Sequence, residues 1–197
     1  MTQDRVHFKR ISEFTKANQW PAPDHPLLYV YSADRHSTED IHTCGGSGID
    51  ITYSTDFYMI AIKNILSGEL RYGRTRYDFT NGSMMFAAPR QEITIQAQIV
   101  SSNVIMLLIH EDFIKGRPIR NEFRKYGFFS YAVHEARHLS EREESRMRTI
   151  MQNILEEYQS NQDEFSRDLL LSQLDTLLKY ANRYYKRQFL NRGDMSQ

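Results

Sequence analysis

Cysteine is almost missing from this chain. Cys44 is the only one in 197 residues, so no intramolecular disulfide can form and no zinc knuckle of the usual cysteine spacing can be built. A reducing compartment is the simplest inference. A surplus of charge is missing as well, with 25 Lys plus Arg against 25 Asp plus Glu. Chains that grip nucleic acid or a membrane surface unaided usually carry a basic excess, so this one is not expected to hold DNA alone. Long apolar runs are absent too. The opening MTQDRVHFKR has no core of signal-peptide length, and no later stretch approaches a membrane span, which points to a cytoplasmic protein with no membrane partner. Proline is scarce, and three of the five residues fall together at Pro21, Pro23 and Pro26, where they forbid regular helix and favour an extended arm.

What is present is a long β pattern followed by a helical one. At this length the chain can bury one substantial core with a helical appendage. From Tyr53 to Gln91, short apolar runs alternate with polar turns at Asn64 to Gly68, Gly73 to Arg76 and Asn81-Gly82, the pattern of consecutive antiparallel strands in a small barrel or sandwich. Ahead of it, Ile11 and Phe14 suggest a short helix, and Leu27 to Tyr31 a first strand. After it, Glu92 to Val100 alternates in and out. Val104 to Ile109 is continuously apolar, as suits a strand covered on both sides. The expected sheet is closed or nearly so.

The last third reads as helix. Ser140 with Glu143 forms a capping box, and Met147, Ile150, Met151, Ile154, Leu155 and Tyr158 then give one apolar stripe. A second helix from about Glu164 to Phe189 carries Leu169, Leu170 and Leu171 in succession, which spreads its apolar surface over about 200° at 100° per residue. That is wider than one packing face needs. The residues expected to meet a second chain are Leu170, Leu171, Leu174, Leu177, Leu178, Ala181 and Tyr185.

Motifs of enzyme chemistry are thin. His134-Glu135-Ala136-Arg137-His138 matches H-E-x-x-H, but zinc hydrolysis needs both histidines on one continuous helix, and Ser140 opens its helix only after them. Cys44-Gly45-Gly46-Ser47-Gly48 lacks the Lys-Ser/Thr of a phosphate loop and leads into a strand, so a loop is expected. No G-x-S-x-G elbow occurs, and no catalytic residue is assigned.

The order of several short motifs carries more than any one of them. The proline-rich arm, L-S-G-E-L-R-Y-G, N-G-S-M-M-F-A-A-P, L-L-I-H-E-D-F, Y-G-F-F-S-Y, H-L-S-E-R-E-E and L-K-Y-A-N-R-Y-Y-K-R-Q-F together resemble the N-terminal regulatory half of AraC-type transcription regulators, from about His25 to Arg192. The resemblance implies a mainly β protein with C-terminal helices: a cupin-like antiparallel β-barrel followed by two long helices. It divides the chain into an N-terminal arm (1–26), a barrel regulatory domain (27–133), a helical dimerisation region (134–192) and a linker (193–197). It also implies that the helix-turn-helix domain which would touch DNA is absent from this chain. The metal-binding positions of cupins fall on Tyr53, Thr55, Met59 and Met85, none a first-choice ligand, so neither metal nor cofactor is expected. These four, with Phe57 and Tyr72, are the expected lining of a pocket for a small organic effector. The implied function is effector sensing and homodimerisation rather than catalysis. The alternative is a stand-alone cupin-like binding protein or metal-independent enzyme.

Overall fold

The computed structural model describes residues 5–33, 42–44, 51–63, 65–72, 75–77, 83–100, 104–129 and 137–193. Strand β1 (Arg5–Phe8) leads into helix α1 (Ile11–Ala17), and then come β2 (Leu28–Ala33), β3 (His42–Cys44), β4 (Ile51–Thr55), β5 (Phe57–Lys63), β6 (Ile65–Tyr72) and β7 (Thr75–Tyr77). Strands β8 (Ser83–Ala87), β9 (Ile93–Val100) and β10 (Val104–His110) complete the β-rich part. Two short helices, α2 (Glu111–Ile114) and α3 (Ile119–Lys125), and a 3-10 turn at Gly127–Phe129 follow. A two-residue strand β11 (Arg137–His138) precedes the long helices α4 (Glu141–Gln159) and α5 (Ser166–Gly193).

The closed barrel expected from the sequence does not form. The strands divide into two sheets, ordered β1-β4-β9-β6-β7, with β3 also pairing β9, and β11-β8-β5-β10-β2. Among the described residues neither sheet closes, because β1 and β7 bound the first and β11 and β2 the second. With 19 residues in α4 and 28 in α5 the fold is mixed α/β, not mainly β. The physical reason lies in what alternation can report. Inward and outward positions look the same along a strand of a barrel and along one of two stacked open sheets.

Consecutive strands are not a ladder of hairpins either. β4 and β5 are separated by Asp56 alone, yet β4 pairs with β1 and β9 while β5 pairs with β8 and β10. Asp56 is a corner between sheets. Of the expected turn at Asn64 to Gly68, Asn64 lies outside the described residues and residues 65–68 are strand, with register shifts on either side of Ser67.

β10 lies between β5 and β2 and is buried at every position but its last, as its unbroken apolar run requires. On one face of this sheet Tyr58 meets Phe123 and Phe129 at 4.6 and 5.1 Å, and Phe86 meets Phe128 at 4.4 Å. α4 turns its stripe inward as the spacing predicts, with Met147, Ile150, Met151, Ile154, Leu155 and Tyr158 all buried. The helices share one continuous core with the sheet. No helix of the described residues is long and apolar enough to cross a membrane.

Candidate functional site

The opposite face of the second sheet carries the side chains singled out from the sequence. Register aligns Tyr31, Met106, Ala61 and Met85 in one row across β2, β10, β5 and β8, and Tyr29, Leu108, Met59 and Ala87 in the next. Phe57 continues the Met59 file two residues earlier on β5. Phe57 and Met59 are fully buried and Met85 nearly so.

α1 connects this face to the first sheet. Ile11, Phe14 and Thr15 are its buried residues. The ring of Phe14 stands 5.6 Å from Tyr53 of β4 and 5.9 Å from Phe57 of β5, so one side chain touches both sheets. Phe8 packs edge-on to Phe14 at 5.3 Å and Trp20 does so at 5.6 Å. Trp20 in turn lies flat on Tyr31, centroids 4.3 Å apart and planes 6° apart. The arm is thereby stitched into the space between the sheets by aromatic contacts, each worth about 0.5–1.5 kcal/mol beyond its burial.

Short hydrogen bonds fix the surrounding backbone. Thr55, buried, donates from its hydroxyl to the Phe57 carbonyl at 2.8 Å, so its polar atom is spent on the β4–β5 corner. Tyr29 donates to the Pro21 carbonyl at 3.1 Å and thus ties β2 to the arm. Burial, reinforced by Tyr158, Tyr31 and Asp24, pushes the Tyr29 hydroxyl up to about 12, so it is a neutral donor at any physiological pH. Tyr158 of α4 holds the arm by a different route: its hydroxyl oxygen accepts the Asp24 amide at 2.9 Å.

Of the six residues expected to line a pocket, the structure brings Tyr53 and Phe57 together through Phe14 and places Met59 and Met85 on the same buried face. Thr55 serves the corner. Position 72 is aligned with Tyr53 across β9 by the pairings of Ile93 with both, while the Tyr72 side chain lies outside the described residues. The described clefts lie elsewhere. One of about 440 Å³ is lined by Asp56, Pro89, Arg90, His110, Glu111 and Asp112. Another of about 460 Å³ is lined by Lys9, Arg10, Pro23, Pro26, Leu27 and His110 among others. Neither touches Tyr53, Thr55, Phe57, Met59 or Met85, whose face is occupied by packed side chains.

Phe14, Trp20, Met106 and Leu108 belong to the same site and were not picked out from the sequence. The even-numbered positions of β10 were hidden in an unbroken apolar run. Trp20, the single tryptophan, was the available signal in the arm.

The helix residues expected to meet a second chain are spent inside this one. Leu170, Leu171, Leu174, Leu177, Leu178 and Ala181 are all buried, and Tyr185 is half-buried with its ring 6.0 Å from Phe128. The breadth of the apolar surface reflects contact with both α4 and α3. The exposed apolar residues at this end are Phe165 at 63% and Leu169 at 48%.

The histidine string does not form a helical zinc site. Arg137 and His138 are extended and pair with Met84 and Ser83, while residues 130–136 lie outside the described residues. Among the described residues no three His, Cys, Asp or Glu side chains are placed to hold a metal ion. The glycine-rich residues 45–48 are likewise outside them. No protein-family model matches this chain, and no curated protein does.

Proposed function

We propose that this chain is the effector-sensing and dimerisation part of a cytoplasmic AraC-type one-component regulator, and that it takes a small organic ligand between its two sheets without metal or cofactor. The observation that carries the reading is the seat of Phe14, a single side chain of the arm wedged between Tyr53 of one sheet and Phe57 of the other. A ligand for this space must be apolar and flat enough to replace aromatic and methionine contacts. It competes with the arm for the same surface, so binding shifts the arm between two arrangements to the extent that affinity for them differs.

Homodimerisation is assigned to α5, through its exposed residues Leu169 and Thr176 together with Phe165 just before it. DNA contact is left to a helix-turn-helix domain that the described fold does not contain. The reading is tested by screening small organic acids and aromatic metabolites for thermal stabilisation of the wild-type chain and of Phe14→Ala. A ligand that stabilises both, and Phe14→Ala at lower concentration because its competitor is gone, supports it. A panel with no stabilising compound, or a hit whose midpoint is indifferent to Phe14, removes its basis.

A further inference from the structure

The exposed edge of the first sheet holds three side chains that the regulator reading does not use. β1 runs parallel to β4 with His7 opposite Ser54. Ser54 Oγ lies 2.8 Å from His7 Nδ1, and His7 Nε2 lies 3.2 Å from Asp56 Oδ1. A carboxylate can only accept, so the ring nitrogen facing Asp56 carries the proton. In the neutral ring that leaves Nδ1 as the acceptor for the Ser54 hydroxyl, the arrangement in which a histidine serves as base to a serine.

The third group is itself held. The Asp56 amide donates to the Phe8 carbonyl at 3.0 Å, joining the corner to the end of β1. Arg90 Nε approaches Asp56 Oδ1 at 3.5 Å, and the Arg90 amide donates to the Thr55 carbonyl at 2.6 Å. Arg90 takes a left-handed backbone with φ of 65°, a conformation that side-chain-bearing residues rarely adopt and that collects at functional sites. The relay stays open to solvent: the His7 side chain is 39% exposed and that of Asp56 28%. The 440 Å³ cleft with Arg90 and His110 adjoins it at Asp56.

We propose that Ser54, His7 and Asp56 form a nucleophile, base and carboxylate relay that cleaves small carboxylic esters. Ser54 Oγ attacks the carbonyl carbon as its proton passes to His7 Nδ1. The bond to the leaving alkoxide breaks, and that proton is returned to it as alcohol. Water then gives a proton to His7 and its hydroxyl to the acyl carbon, the bond from that carbon to Ser54 Oγ breaks, and His7 returns the proton to Ser54 as the carboxylic acid leaves. Asp56 holds the ring tautomer and balances the imidazolium formed in each half. The nitrogens are used in the reverse sense from the familiar serine hydrolases, whose serine faces Nε2. The relay stands independently of effector binding between the sheets.

A fluorophosphonate probe and p-nitrophenyl acetate test it on the whole chain, with melting curves recorded for every variant. One phosphonate adduct is expected, mapped to Ser54 by peptide mass spectrometry. Ser54→Ala abolishes the adduct and ester turnover, while His7→Gln slows both about 100-fold, within the range that a general base contributes. Ser54→Cys supplies a second readout, because its alkylation by iodoacetamide falls on adding His7→Gln. No adduct on Ser54, ester hydrolysis unchanged in Ser54→Ala, or labelling of Ser54 indifferent to His7→Gln overturns the proposal.

Discussion

Arg187, near the end of α5, closes on Glu143 in the first turn of α4 with Nη2 2.5 Å from Oε1. The glutamate is buried, and its other oxygen accepts the Ser140 amide at 3.0 Å and the Ser140 hydroxyl at 2.9 Å. One carboxylate therefore completes a capping box and pins two antiparallel helices together.

Burial works against the charge on Glu143, but the Ser140 amide, Arg187 and the Ser140 hydroxyl outweigh it and hold the carboxyl below the usual value of 4.5. A depressed carboxylate gives stability that is present above its unfolded value and lost as pH falls through its folded one. Glu143→Gln is expected to cost about 1–3 kcal/mol at pH 7, the range for a cap plus hydrogen bonds to a charged group. The deficit should shrink below pH 4.5. Urea midpoints at pH 7 and at pH 3.5 measure it, and a deficit independent of pH would remove the ionic part of this account.

Helix α1 ends in a six-residue return loop. The Trp20 amide donates to the Thr15 carbonyl at 2.9 Å and the Gln19 amide to the Lys16 carbonyl at 3.1 Å, with Gln19 left-handed at φ of 57°. This is the Schellman pattern, whose left-handed position favours glycine. Gln19 is exposed, so Gln19→Gly should stabilise the chain by roughly 1 kcal/mol. A lowered melting temperature would show that the Gln19 side chain contributes something the geometry does not reveal.

Phe14→Ala should destabilise by about 3–5 kcal/mol, since it removes the ring that joins the sheets and leaves a space among Phe8, Trp20, Tyr53 and Phe57. Trp20→Ala should cost less, because Trp20 is only partly buried. Chemical denaturation of both variants gives the order. Equal losses would mean that the arm docks through Trp20 as much as through Phe14.

Local chemistry was readable in the sequence and long-range closure was not. Ser140 and Glu143 announced the start of α4, and the 3.6 period of Met147 to Tyr158 gave its buried face. Strand β9 appears where apolar alternation puts it, and β10 where the continuous apolar run does. Which strands pair is decided by contacts far apart in the chain, and nothing around Asp56 signals a change of sheet. β1 escaped notice because Arg5–Phe8 is half charged and gains its partner 47 residues away at β4. Phe14 looked like one apolar residue of a short helix. Its position between two sheets depends on the arm, Asp56 and the β4–β5 corner all at once.

The burial of α5 changes what its substitutions should do. Leu174 and Leu178 are fully buried within the chain, so Leu174→Glu with Leu178→Glu should unfold the protein rather than give a folded monomer. The outward side offers a different seam. Within the chain Asp168 is paired with Arg117, Asp175 with Lys179 and Arg187 with Glu143, so what this side offers a second copy is the exposed apolar pair Phe165 and Leu169. Phe165→Ser with Leu169→Ser touches only exposed apolar surface and should leave melting at low concentration nearly unchanged, while weakening a dimer through this face at least tenfold. Light scattering over a dilution series decides between them. A stable dimer in the Phe165/Leu169 variant would place the interface elsewhere, and a wild type monomeric at high micromolar concentration would leave α5 without a partner.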